Sequence, residues 1–143
     1  MSGRIRIICI GNRLAPCDSA GPAVYDRLRE ADLPRGVELF DGGLGGLDLL
    51  PLVEGADRVI FVDAVDAPGR PGVDLLDVQE VAAQATGGFG HQAGLPFLLR
   101  ALPLASDAAP PAMEIVGVAG PLAPDTLDRA AALCLERARE GRP

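Results

Sequence analysis

The chain of 143 residues is 48% apolar and 23% charged, which reads as one globular domain over 1–143 rather than a disordered segment. A net charge of −7 and only 3% aromatic residues argue against a nucleic-acid partner, which needs cations for phosphates and rings for bases. No apolar run approaches the ~18 residues of a membrane span, so no membrane partner is expected, and the opening Met1–Arg6 leads into a buried strand rather than a signal-peptide core.

Arg4–Ile10 is rich in β-branched residues and predicts a strand closed by the turn signal Gly11-Asn12. Ala20–Ala31 predicts a helix with Val24, Leu28 and Ala31 inward and Arg27, Arg29 and Glu30 outward. Val37–Phe40 predicts a short strand that stops at Asp41-Gly42-Gly43, and Leu47–Val53 a short helix, though Pro51 falls inside it. Arg58–Ala64 is the clearest strand, with Val59–Val62 apolar throughout as in a strand buried on both faces. Ala67–Gly72 reads as a loop, Val73–Val78 as an edge strand and Glu80–Ala85 as a short helix. The three glycines in Thr86–Gly90 imply a flexible stretch, followed by a helix over His91–Leu102 and a Pro-Ala loop over Ser106–Ala112. Met113–Ala119 predicts the last strand. Pro124–Glu140 predicts an amphipathic helix whose inner face carries Leu127, Ala131, Cys134, Leu135 and Ala138.

This alternation implies an α/β three-layer sandwich, a mostly parallel sheet of about five strands between helices. In such sheets ligands sit beyond the carboxyl ends of the strands. Three acid-bearing segments leave that edge: Gly11–Ser19, Asp41-Gly42-Gly43 and the strand end at Asp63. A carboxylate at Asp63, after so apolar a run, needs a cation, donors or a metal, unless it merely caps a turn. Asp18 serves either as a helix cap or, if Ser19 is the cap, as a group turned to the cleft. Asp41-Gly42-Gly43 is a common turn signal, yet such backbone also admits a peptide closely. His91 is the one histidine, so a His-Glu-x-x-His zinc site is excluded. It is either a structural residue or a metal ligand and general base.

All 13 basic residues are arginine, which rules out a Schiff-base or P-loop lysine. Cys9, Cys17 and Cys134 are odd in number and widely spaced. They fit a reducing, cytoplasmic setting better than a disulfide framework or zinc cluster. Cys9 and Cys134 read as small core residues, and Cys17 sits in a polar turn. Two carboxylates and one imidazole suit a borderline divalent ion such as nickel or zinc with open positions left over.

In order along the chain stand Gly11-Asn12 with Asp18 and Gly21, Asp41-Gly42-Gly43, Val59–Ala64 ending in Asp63-Ala64, His91-Gln92-Ala93-Gly94-Leu95, and Val116-Gly117-Val118. The set resembles the hydrogenase maturation proteases, endopeptidases that remove a C-terminal extension from the large-subunit precursor of nickel–iron hydrogenase. The resemblance implies that Asp18, Asp63 and His91 contact a metal and carry the chemistry. It further implies that the metal is nickel delivered in the precursor rather than a permanently bound cofactor. Asp41, Gly42, Gly43, Gly90 and Gln92 would border the substrate groove. The chain departs from the family pattern at Cys17, where the first acid of a pair is usual, and at Ser19, where a glycine is usual. Those departures leave two other readings open. One is a non-catalytic protein that recognises the nickel-loaded precursor. The other is a hydrolase using Cys17 with His91.

Overall fold

A computed structural model describes residues 3–66, 71–84, 94–105 and 109–140. Its elements, in chain order, are β1 (Ile5–Ile10), α1 (Ala20–Arg29), β2 (Val37–Gly43), α2 (Leu50–Glu54), β3 (Arg58–Ala64), β4 (Gly72–Leu76), α3 (Val78–Ala82), α4 (Leu95–Ala105), β5 (Ala112–Ala119) and α5 (Pro124–Arg139). The five strands form one sheet in the order β2-β1-β3-β5-β4. Every pairing is parallel except that of β4, which runs antiparallel along the outer side of β5. The expected three-layer α/β sandwich is what the chain adopts.

Side-chain alternation along the strands divides the core into two layers. Ile5, Ile7 and Cys9 of β1 and Ile60 and Val62 of β3 pack with Val24 and Leu28 of α1 and Ala130, Cys134 and Ala138 of α5. On the other face Ile8, Ile10, Val59 and Phe61 pack with Val53 of α2, Val81 of α3 and Leu95, Leu98 and Leu102 of α4. Val59 through Val62 are fully buried, as the apolar run required. Each such side chain contributes ~1.5–3 kcal/mol of burial, so β3 is the spine of the fold. Cys9 and Cys134 are core residues.

Several local expectations shift. Leu47–Leu49 forms a 3-10 turn that leads into α2. Pro51 falls in the first turn of α2, where a missing amide costs no bond. The buried line of α5 is Thr126, Ala130, Cys134 and Ala138. Leu127, Ala131 and Leu135 lie only partly buried against the same cluster. Small residues four apart let the helix approach the sheet, and the larger chains fill its flanks. Asp77 starts α3 earlier than expected, because its carboxylate accepts from the amides of Gln79 at 2.7 Å and Glu80 at 3.2 Å. α4 runs on through Pro103 to Ala105, past its expected end.

Asp41-Gly42-Gly43 does not end β2 as a turn; it is the last part of that strand. Its ladder to β1 keeps it in the strand, with Gly43 at a φ of 57°. Cys9 faces Asp41 and Ile10 faces Gly43, so Gly42 is the extra residue of a bulge.

Candidate active site

The strand order reverses between β1 and β3, and the crevice at their carboxyl ends is where an open sheet of this kind takes ligands. Asp18 follows β1 and Asp63 closes β3, so the topology alone sets one carboxylate on each side of that crevice.

The segment bearing Asp18 is tightly folded. The Asn12 amide donates to the Asp18 carbonyl at 2.8 Å, and the Asp18 amide donates to the Ala15 carbonyl at 2.9 Å. The Asn12 side chain accepts from the Leu14 amide at 2.9 Å. Gly11 makes this closure possible, since a Cβ there would meet the Asp18 carbonyl oxygen at 2.4 Å. Residues Pro16–Asp18 form a single 3-10 turn. Asp18 does not cap α1. Ser19 holds the cap position, and its hydroxyl donates to the Pro16 carbonyl at 3.3 Å.

Asp63 continues the side-chain parity of Val59 and Phe61, toward the face covered by α2, α3 and α4. It lines a cavity of about 310 Å³ with Val81, Gln84, Leu95 and Ile115. Burial pushes its carboxyl up from the ordinary 3.8 to about 7, the Asp18 charge adds to the rise, and a hydrogen bond from the Ala64 backbone works against it. The two acids therefore feel each other across the crevice, with burial the larger effect. A second cavity of about 610 Å³ lies on the other side of the strand end, lined by Cys17, Ala20, Ala64, Val118 and Leu122. Ala64, Val65 and Asp66 form a wall common to both cavities. Cys17 is exposed.

Asp41 is placed differently from the other two acids. Its carboxylate accepts from the Gly43 amide at 3.1 Å and from Arg13 Nη2 at 3.4 Å. Arg13 also makes a two-pronged pair with Asp26 of α1, at 2.8 and 2.9 Å. Arg13 thus links the Asp18 segment, α1 and the end of β2. Arg13 was not among the expected site residues: a cation just after a strand end amid acid-bearing segments marks a place, but not its distant partners.

His91, Gly90 and Gln92 lie outside the described residues. The chain is described again from Gly94, where a Cβ on Gly45 would stand 3.2 Å from the Gly94 Cα. The segment after β2 therefore packs against the entry to α4, and Leu95 lines the cavity of Asp63. Among the described residues no three His, Cys, Asp or Glu side chains form a group able to hold a metal ion. Among the same residues no helix is long and apolar enough to cross a membrane.

The profile of the hydrogenase maturation protease family matches residues 22–134. The chain belongs to this family. It is 33% identical over 121 residues to the hydrogenase 2 maturation protease of Escherichia coli (strain K12), covering 80% of this chain and 72% of that protein. A match at 41% identity to the hydrogenase expression/formation protein HupD of Rhodobacter capsulatus covers 48% of this chain and 33% of that protein. The structure of the hydrogenase maturating endopeptidase HybD from E. coli superposes with a TM-score of 0.76 at 27% identity, covering 96% of this chain and 93% of that one. The peptidase class and the sandwich expected of a hydrogenase maturation protease both hold.

Proposed function

We propose that this family member removes a C-terminal extension from the nickel-loaded large-subunit precursor of a nickel–iron hydrogenase. The observation that carries it is the pairing of Asp18 with Asp63 at the switch point of the sheet, in a chain of this family. Two like charges facing a crevice repel each other, and a divalent ion between them relieves that repulsion. Nickel is here part of the substrate, arriving in the precursor, and no resident cofactor is invoked. Asp18, Asp63 and His91 would contact it, and hydrolysis would proceed beside them. Bound there, the ion would polarise the scissile carbonyl, or it would fix the tail while a carboxylate activates water. Asp41, Gly42, Gly43, Gly90 and Gln92 would border the bound tail, and the setting would be the cytoplasm.

The test is the mass of a nickel-loaded large-subunit precursor after incubation with the protein. Loss of a C-terminal peptide that requires nickel, survives Cys17→Ala and fails with Asp63→Asn supports this function. Binding without cleavage would make the protein a recognition module. Loss of cleavage in Cys17→Ala, with indifference to nickel, would assign the reaction to the thiol. A precursor neither bound nor cut would overturn the proposal.

A further inference from the structure

Five large apolar side chains are exposed among the described residues. Three of them, Leu14, Leu44 and Leu47, stand on the two segments that follow β1 and β2, beside the crevice. They are 91%, 60% and 44% exposed. These segments are fastened together. The Gly11 amide donates to the Gly43 carbonyl at 2.7 Å, and the Gly45 amide donates to the Gly42 carbonyl at 3.2 Å. Arg13, next to Leu14, ties its segment to Asp26 and Asp41. Apolar side chains held outward on braced backbone lose little conformational freedom when a partner covers them.

We infer that Leu14, Leu44 and Leu47 form a docking rim for the folded body of the precursor, separate from the crevice that takes its tail. The inference rests on the precursor processing proposed above. Area selects the occupant. The exposed surface of the three amounts to less than two whole leucine side chains, far below the ~800 Å² per partner of a stable interface. Alone, so small a patch does not hold a stable dimer. The occupant must gain further contact nearby, and the crevice adjoins the rim: Leu14 shares the tight turn that ends at Asp18, and Gly45, between Leu44 and Leu47, packs on Gly94 next to Leu95 of the Asp63 cavity. A protein that already threads its tail there gains both. The face it presents to the rim is apolar, since leucines return little to a charged surface.

The experiment uses the full chain with Leu14→Ser and Leu44→Ser, and Leu104→Ser as control. Leu104 is as exposed as Leu14 but lies near the far end of α4. Capture of the nickel-loaded precursor gives Kd, and cleavage against precursor concentration gives kcat and KM. Each rim variant should raise Kd and KM about tenfold, as truncating an interface anchor does, and leave kcat within about twofold; Leu104→Ser should change none of them. Unchanged Kd and KM in both rim variants would overturn the rim, as would a fall in kcat alone. Sedimentation of the protein by itself adds a further outcome. Pairing that Leu14→Ser abolishes would assign the rim to a second copy and overturn the inference. If the unaltered protein binds the precursor without cutting it, the processing proposal fails while Kd still decides the rim. If it does neither, both fail.

Discussion

The two ends of the sheet use the same charged residue types to opposite effect. At the amino end Glu38, Asp57 and Glu114 each meet a donor. Arg58 donates to Glu114 at 2.7 Å and to the carbonyls of Arg137 and Glu140 at 2.8 and 2.6 Å, which closes the C-terminal end of α5. Arg137 holds the other oxygen of Glu114 at 2.5 Å. Asp57 accepts from the Arg4 amide, and Arg6 pairs with Glu38 at 3.1 Å. At the carboxyl end the Asp18 charge works against that of Asp63, and among the described residues neither acid is ion-paired. Charge that is neutralised serves stability; charge left uncompensated in a crevice is available to a ligand.

Asp63→Asn tests this contrast most strongly. Under the proposed function the amide loses cleavage by at least about a hundredfold, the scale of a missing acid–base group. Folding should respond in the opposite direction. The carboxyl of Asp63 sits near 7 in the folded chain against an ordinary 3.8. Between those values the unfolded chain sheds the proton first, so the folded state binds more protons and stability falls as pH rises. Below about pH 4 the group contributes no difference, and above about pH 7 the whole penalty is present. At ~1.4 kcal/mol per pKa unit, its upper bound is about 4 kcal/mol. Urea denaturation should therefore find Asp63→Asn equal to the unaltered protein at pH 4 and more stable by a few kcal/mol at pH 8. A difference that does not grow with pH would show that the carboxylate is compensated after all.

Arg58→Met tests the amino end. It leaves Glu114, whose side chain is 22% exposed, with Arg137 as its remaining partner, and removes the donors to the last carbonyls of α5. Breaking a largely buried pair from one side is costly, here about 2 kcal/mol because some solvent remains. The urea midpoint should fall, while cleavage measured below that midpoint should stay unchanged, since Arg58 lies at the opposite end of β3 from Asp63. A loss of activity without a loss of stability would blur the division between the two ends.

The same division explains what could be read from the chain. β3, the two core cysteines and the layered fold followed from apolar periodicity, because burial on both faces leaves little freedom in composition. Asp63 was legible for the same reason, as an acid at the end of such a run. The end of β2 was not. Asp-Gly-Gly is a turn signal by local chemistry, but the ladder to β1 outweighs it and a bulge at Gly42 absorbs the mismatch. Nor was Arg13 legible as a brace, since its partners Asp26 and Asp41 lie 13 and 28 residues away. Whether Asp18 capped a helix depended on which way the next hydroxyl turned, and that is settled by three-dimensional packing alone.

Ser19 gives the finest probe of the open edge. The resemblance read from the sequence puts a glycine at this position, which would suggest backbone that only glycine tolerates. The structure gives Ser19 a φ of −102° and ψ of 5°, a region open to any residue. The serine is therefore accommodated without strain, and Asp18 keeps its place beside the crevice. Ser19→Gly should then restore nothing. It releases conformational freedom in the unfolded chain and removes the hydroxyl bond to Pro16, a loss of about 0.5 kcal/mol. Precursor cleavage should stay within about twofold, the scale expected of a change that leaves reacting groups in position. A large gain in cleavage would mean that Ser19 holds Asp18 away from its working position, and that the open edge carries strain as well as uncompensated charge.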